Sequence, residues 1–474
     1  MTPAPALAWR ARLPWLLWLA YALLAVFATI HHEPWRDEAQ AWLIARDLPL
    51  SGVIAQMGYE GTPALWHLLL FPFAQLGAPY EAEAVIHVLL ALAGVGLLLL
   101  RGPFPLWFRA LLAFGSYLSY EYAAIARNYN LSLLLLFAIA ALYPARLRRP
   151  LGYGLLVALL ANANVHSLAM AAGLTVLFAA EAFRLRPRPR WALCGLALMA
   201  IGLAAALAQL SATAQNQLVE GPHFDPLAPV FATRNAWLPG FPGLAAPVAI
   251  AAMLLVALAL WRWARSALWL LGCGWGGLCA IFALRHAGHL RHHGLILLVT
   301  VATLWIAWDK LSVPAARRWQ RALLLSLGVL AAAGLPFSVH NHLSDARGMY
   351  SGAHAMAAYL DEAGLLERVL VAYPSAPTSA VLPYLPGKTA WYADIQAPGS
   401  YVTWDHRYVA NSDIGVTEAA RRTTQAPGWG PGALLLLNKS LPAPGPLGLT
   451  LLFKVDAEVY TPHGEQMYLY ERTP

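Results

Sequence analysis

Leu13-Pro-Trp-Leu-Leu-Trp-Leu-Ala-Tyr-Ala-Leu-Leu-Ala-Val-Phe-Ala-Thr-Ile30 is an apolar run, and Trp35-Arg36-Asp37-Glu38-Ala39-Gln40-Ala41-Trp42 follows almost at once. The first stretch approaches the roughly 20 apolar residues that a membrane-spanning helix needs. Arg10 and Arg12 precede it and no small-residue cleavage site follows, so it reads as a signal-anchor and not as a cleaved signal peptide. In the second stretch, Pro34 and the two acids favour a helix start. Ala39, Trp42 and Leu43 then form an apolar stripe at helical spacing, which predicts an amphipathic helix lying on the membrane surface with Trp42 at headgroup level. Asp37 and Glu38 come to the water rim of the bilayer. That placement points to chemistry at the membrane boundary; simple solvation of a helix end would also account for it.

Composition carries the same message through the whole chain. Of 474 residues, 59% are hydrophobic and 12% charged, where a soluble domain carries about a quarter charged. The chain is therefore read as a polytopic helical membrane protein. Spans are expected near 14–30, 63–77, 83–100, 104–119, 128–143, 150–165, 167–183, 191–210, 244–264, 267–284, 290–308 and 321–338. The net charge of +8 is no sign of nucleic acid. Arg146/Arg148/Arg149, Arg184/Arg186/Arg188/Arg190, Arg262/Arg265 and Lys310/Arg317/Arg318/Arg321 occupy every second short loop, which is the positive-inside pattern. It places the N-terminus in the cytoplasm, and the first loop 31–62, the loop 211–243, the turn 285–293 and everything beyond 339 outside. Counting from both ends gives a conflict unless one stretch between 63 and 120 fails to cross. The short stretches 63–77 and 104–119, the second preceded by Pro103 and broken by Pro105, are the candidates. About 11 full crossings and one partial one are expected. Cys194, Cys273 and Cys279 lie within spans and indicate no disulfide framework.

From 339 onward polar residues return and apolar runs shorten to strand length: 368–373, 389–392, 433–438, 449–454 and 466–470, with helical stretches around 352–364, 376–383 and 416–425. Strands separated by helices predict an α/β domain over 339–474, beside a transmembrane domain over 1–338. About 135 residues suffice for its own core. The loop 211–243 is rich in Pro and Gly and lacks periodicity, as a lid or binding loop would; its Glu220, His223, Asp225 and Arg234 are no different from a polar surface.

Gly58-Tyr59-Glu60-Gly61-Thr62-Pro63-Ala64-Leu65-Trp66-His67 adds an acid and a Pro at the start of the next span. With the Asp37-Glu38 pair, this resembles the polyprenyl-phosphate-sugar glycosyltransferases of the GT-C superfamily, in the branch of the protein mannosyltransferases and lipid A aminoarabinose transferases. The resemblance is carried by residues 13–75 and by the layout of the rest. It implies a GT-C-like helical bundle with a C-terminal extracytoplasmic α/β domain. It also implies that Asp37 is the base or acceptor-orienting carboxylate, with Glu38 beside it and Glu60 lining the same cavity. Two departures stand out. Gly61-Thr62-Pro63 replaces a basic residue and a Pro pair, and Ala126-Arg127-Asn128-Tyr129-Asn130 lacks the acid that relatives often carry after the Arg. The second departure weakens the case for a shared metal site, so a divalent cation stays open as a cofactor and no metal ligand is assigned.

Arg127, followed by Tyr129, is either a snorkelling boundary residue or a clamp on the leaving phosphate, for which a guanidinium is suited. Glu121 reads as a structural partner of an Arg. Arg285-His286-Ala-Gly-His289-Leu-Arg291-His292-His293 packs four His and two Arg into nine residues. Because it lies outside, it is no topology signal. An anionic site for a lipid phosphate fits it best, with a solvated turn and a zinc site as the other readings. His166, with Asn162 and Asn164, falls at another external span end; His67 and His87 are read as packing residues. Taken together, these residues predict transfer of one sugar from a polyprenyl-phosphate donor to a glycan, lipid or protein acceptor at the outer face of the inner membrane, by inverting single displacement. The rival is a transporter or lipid flippase. Such proteins place ionisable groups near the membrane midplane, whereas here the acids gather at one rim.

Overall fold

The computed structural model describes residues 5–186, 190–211, 224–411, 413–461 and 464–474. The helical bundle opens with α1 (Pro5–His31) and continues through α2 (Arg36–Asp47), α3 (Leu50–Glu60), α4 (Leu65–Gln75), α5 (Ala82–Arg101) and α6 (Leu106–Phe114). It goes on with α7 (Tyr129–Leu142), α8 (Pro150–Ala163), α9 (Leu168–Arg184), α10 (Arg190–Gln209), α11 (Ala228–Trp237) and α12 (Ala246–Trp263). The last helices of the bundle are α13 (Arg265–Leu271), α14 (Gly277–Leu284), α15 (Leu290–Leu311), α16 (Arg317–Ala333) and α17 (Leu335–Arg347). Among the described residues, eight helical stretches are long and apolar enough to cross a membrane, and three shorter apolar helices accompany them. The chain is a multi-pass membrane protein. The two stretches singled out as short are so: α4 has 11 residues, with Pro72 inside it, and α6 has 9. At 1.5 Å per residue neither approaches the roughly 30 Å of a bilayer core.

Loop 211–243 departs from the expectation of an irregular segment. Residues 228–237 form α11, because Leu227-Ala228-Pro229 supplies a helix start and Ala228, Ala232, Ala236 and Trp237 bury one face. Glu220 and His223 lie outside the described residues. Likewise α17 runs on to Arg347, well past the change of composition at 339.

After α6 the chain breaks at Gly115, makes one wide turn over Tyr117–Glu121 and runs irregularly to Asn128. Non-helical backbone at membrane depth is tolerated only where protein satisfies it. Here side chains do so: Glu38 accepts from Ala126 N–H at 2.5 Å, and His87 Nδ1 donates to the Ala123 carbonyl at 3.2 Å. His87 thus has the packing role expected of it. The segment carrying Arg127 is fixed by contacts and not by a helix.

The C-terminal unit adds α18 (Ala353–Glu362), α19 (Ser375–Ser379), α20 (His406–Asn411) and α21 (Val416–Arg422) to six strands: β1 (Leu370–Tyr373), β2 (Ala390–Tyr392), β3 (Ala397–Gly399), β4 (Leu434–Leu437), β5 (Leu449–Lys454) and β6 (Tyr468–Arg472). They form one sheet in the order β3-β2-β1-β4-β6-β5. β1 runs parallel to β2 and β4, while β3, β5 and β6 pair antiparallel. β1 and β4 are buried on both faces, as central parallel strands are. Alternate residues feed two cores: Leu370, Ala372, Leu434 and Leu436 on one face, Val371, Leu435 and Leu437 on the other. The expected α/β architecture is present; β3, only three residues long, is the strand the sequence reading passed over.

The position of α2 differs from the sequence expectation. Trp42 is 1% exposed and the whole run Glu38–Ala45 is buried, so the helix does not float on lipid. Its apolar residues divide by direction. Ala39 and Leu43, one turn apart, join the core beneath the sheet; Ala41, Trp42 and Ala45 join the bundle core; Ile44 packs with Val53, Met57 and Ala64. The helix is a plate clamped between bundle and sheet.

Candidate active site

The first turn of α2 sets the site. Glu38, third in the helix, reaches back so that its Oε2 accepts from Trp35 N–H at 3.1 Å, satisfying a donor that the helix itself leaves free. The same oxygen accepts from His32 Nε2 at 3.0 Å, and Oε1 takes Ala126 N–H. With 1% exposure and three donors, Glu38 is fully engaged by the protein.

Asp37 points the other way and keeps 19% of its side chain exposed. Its Oδ2 lies 2.7 Å from Arg291 Nη2 and 3.5 Å from Arg127 Nη1, while its carbonyl also accepts from Arg127 Nη1. Burial alone would lower the Arg127 guanidinium, but Asp37, Tyr129 and Glu60 outweigh it and hold it charged. Arg291 is anchored separately: Tyr122 donates its hydroxyl to the Arg291 carbonyl at 2.7 Å, and the guanidinium stands 5.2 Å from the centre of the Trp35 ring. Arg291 Nε has no protein partner among the described residues, leaving one donor of its fork to spare.

Glu60 joins through Gln40, one turn on from Asp37. Gln40 Nε2 donates to Glu60 Oε1 at 2.8 Å, and Gln56 Nε2 donates to the same oxygen at 3.1 Å. Burial pushes the Glu60 carboxyl up to about 7, and the two amides and Arg127 restrain it from rising further. The Arg285–His293 turn converges on the same place. His292 Nδ1 accepts from His289 N–H at 2.8 Å, closing the start of α15. His292 stacks on His166 with ring centres 4.9 Å apart and meets the Tyr129 ring edge-on at 5.4 Å. His286 and His289 rings lie 5.6 and 5.8 Å from His292. Both residues are exposed, and partial burial seconded by Arg291 lowers both imidazoles from the ordinary value, which favours the neutral ring.

The fold therefore gathers Asp37, Glu38, Glu60, Arg127, Tyr129, His166, His286, His289, Arg291 and His292 into one region. Arg285 remains exposed at the start of the turn, and His293 packs between Asn235 and the Ala287 carbonyl. Sequence reasoning passed over Gln40, His32, Asp345 and Glu465. Glu465, from the C-terminal unit and 0% exposed, accepts from Arg36 N–H at 3.1 Å and so caps the turn that carries Asp37. Burial lifts its carboxyl to about 8 against the pull of Ser351 and Arg36. Among the described residues no three His, Cys, Asp or Glu side chains stand together as a metal site.

This arrangement is a helical membrane bundle with a C-terminal α/β unit. The solved structure of ArnT from Cupriavidus metallidurans bound to undecaprenyl phosphate is similar to the whole chain: it covers 97% of this chain and 98% of its own, with a TM-score of 0.56 at 11% identity. No protein-family model matches the sequence, and no curated protein matches it.

Proposed function

We propose that the protein transfers a sugar from a polyprenyl-phosphate donor to an acceptor hydroxyl or amine at the outer face of the inner membrane. The observation that carries this reading is a carboxylate, Asp37, held between two arginines from distant parts of the chain, 2.7 Å from Arg291 and 3.5 Å from Arg127. The similar fold of ArnT, solved with undecaprenyl phosphate bound, supports a lipid phosphate as the donor's leaving group. In this reading residues 1–338 hold the donor in the membrane. Residues 339–474 face the exterior, and the N-terminus is cytoplasmic.

The donor phosphate lies against Arg127, Tyr129 and Arg291, with His166, His286, His289 and His292 as neutral walls and Arg285 at the entrance. Asp37 orients the acceptor and takes its proton as the acceptor atom attacks the anomeric carbon. The bond from that carbon to the phosphate oxygen breaks in the same displacement, inverting the centre, and the electron pair leaves on the polyprenyl phosphate. Arginines placed where that charge develops supply the electrostatic stabilisation. Glu38 acts through position, not chemistry, because it is 1% exposed and both its oxygens are already bonded by protein donors. Glu60, whose carboxyl burial pushes up to about 7, borders the acceptor.

The test is transfer of labelled sugar from a panel of polyprenyl-phosphate donors by the purified protein, with Asp37→Asn beside the wild type. A glycosidic product made by the wild type alone supports the reading. Transport of a lipid-linked substrate in liposomes with no glycosidic product would replace it with a carrier.

A further inference from the structure

Behind Glu38 a line of buried charged groups leads into the C-terminal unit. His32 Nε2 lies 3.0 Å from Glu38 Oε2, and His32 Nδ1 lies 3.1 Å from Asp345 Oδ2; the three side chains are 1–2% exposed. Asp345 Oδ1 in turn accepts from the Tyr460 hydroxyl. His32 follows α1, Asp345 belongs to α17, and Tyr460 lies between β5 and β6, so three distant segments meet along one line.

Both ring nitrogens of His32 face carboxylate oxygens, so both must donate, and the ring is an imidazolium. Burial opposes that charge, but Glu38 and Asp345 overcome it and raise the imidazole to about 10. The bonds are therefore charge-assisted, the stronger and more directional kind. Their far end is Glu38 Oε1, which takes the N–H of Ala126, the residue before Arg127. A buried ion cluster is by itself weak support for stability, since desolvation offsets most of its attraction. A role in placement explains the arrangement better.

We propose that Tyr460, Asp345 and His32 are positioning residues for Arg127: acting through Glu38, they fix the irregular segment 122–128 so that the guanidinium stands beside Asp37. The phosphate clamp is thereby tied to the seating of the C-terminal unit on the bundle. This inference rests on the polyprenyl-phosphate reading above.

The experiment measures Kd for undecaprenyl phosphate, donor KM, acceptor KM, kcat and Tm on the full-length purified protein. The variants are Tyr460→Phe, His32→Gln, Arg127→Ala and the Tyr460→Phe/Arg127→Ala pair. Tyr460→Phe is expected to raise Kd and donor KM by about threefold and His32→Gln by about tenfold, with acceptor KM unchanged. In the Arg127→Ala background the Tyr460→Phe effect should vanish. A lowered Tm with unchanged Kd, or a Tyr460→Phe effect that persists without Arg127, overturns the inference. Tyr460 is 42% exposed, so its phenylalanine variant decides the matter even where His32→Gln fails to fold. Wild type that does not bind undecaprenyl phosphate overturns the functional reading and this inference together. Wild type that binds, Arg127→Ala that binds weakly and Tyr460→Phe that matches wild type overturn this inference alone.

Discussion

Asp37 and Arg291 each stand second in a helix whose third residue bonds back to the residue before it, Glu38 to Trp35 in α2 and His292 to His289 in α15. From these matched positions the two side chains meet at 2.7 Å across 254 residues of sequence. Each partner is held by its own helix start, so the pair is oriented before any substrate arrives. Preorganised geometry of this kind is what a charge-stabilising site requires.

Asp37→Asn keeps the shape and removes the charge. Loss of the proton acceptor is expected to lower kcat by about 10²–10⁴-fold. The released arginines should bind undecaprenyl phosphate as tightly as before or more so. Rapid-quench product formation and equilibrium binding would check both halves, and an unimpaired kcat would remove Asp37 from the proton-accepting role.

Arg291→Lys tests the fork. A lysine carries the charge but only as a point, so it cannot serve Asp37 and a phosphate oxygen at once. Donor KM should rise about tenfold, while Tm should change little, because a partly exposed ion pair contributes about 1 kcal/mol or less. Equal KM values for the two proteins would show that the spare Nε donor has no part in binding.

Gly294 lies where a Cβ would run into the Tyr117 ring and the Tyr122 hydroxyl. That hydroxyl holds the Arg291 carbonyl, so Gly294→Ala should shift Arg291 as well as overpack the core, at about 1–3 kcal/mol. A fall in kcat/KM of about tenfold is expected, and Tyr122→Phe should reproduce part of it. Normal kinetics in Gly294→Ala would mean that the Tyr122 contact does not set Arg291.

Gln40 joins three parts of the structure. Beside its bond to Glu60, its Nε2 donates to the Val402 carbonyl at 2.7 Å and its Oε1 accepts from Val402 N–H at 2.9 Å. Gln40→Ala strands those groups, a cost of about 3 kcal/mol. Melting in detergent and limited proteolysis near 402 would reveal a loosened seat for the C-terminal unit; an unaltered Tm would show that Val402 is not a docking point.

Glu465 gives a pH dependence with a definite sign. Its folded carboxyl holds the proton up to about 8, against an ordinary value of 4.5. Between those values the folded state binds more protons than the unfolded one, so stability falls as pH rises through that window and levels off above it. Glu60, raised to about 7, acts in the same direction. His32, held near 10, adds stability that is present below 6.5 and lost as pH climbs through 10. Tm should therefore be lower at pH 8.5 than at pH 5.5. Glu465→Gln should flatten that slope, and an unchanged slope would assign it elsewhere.

The long spans were legible because a run such as Leu13–Ile30 has one use in a chain this poor in charge. The acid pair was legible too, but not its division of labour. Adjacent residues on a helix point about 100° apart, and nothing local says which direction meets solvent and which meets the irregular segment at Ala126. Trp42 misled for a related reason: helical spacing identifies an apolar face without saying whether lipid or protein covers it. Glu465 carries no local signal at all, and for His32 only Glu38 is near in sequence, since Asp345 and Arg36 stand 313 and 429 residues from His32 and Glu465.

That last separation bears on how the protein is made. The turn presenting Asp37 leaves the ribosome before the carboxylate that closes it, which follows 429 residues later. An N-terminal fragment ending short of Glu465 carries the membrane helices but leaves the Arg36 N–H at the head of α2 without that acceptor. Closure of that turn therefore waits until the C-terminal unit has been made.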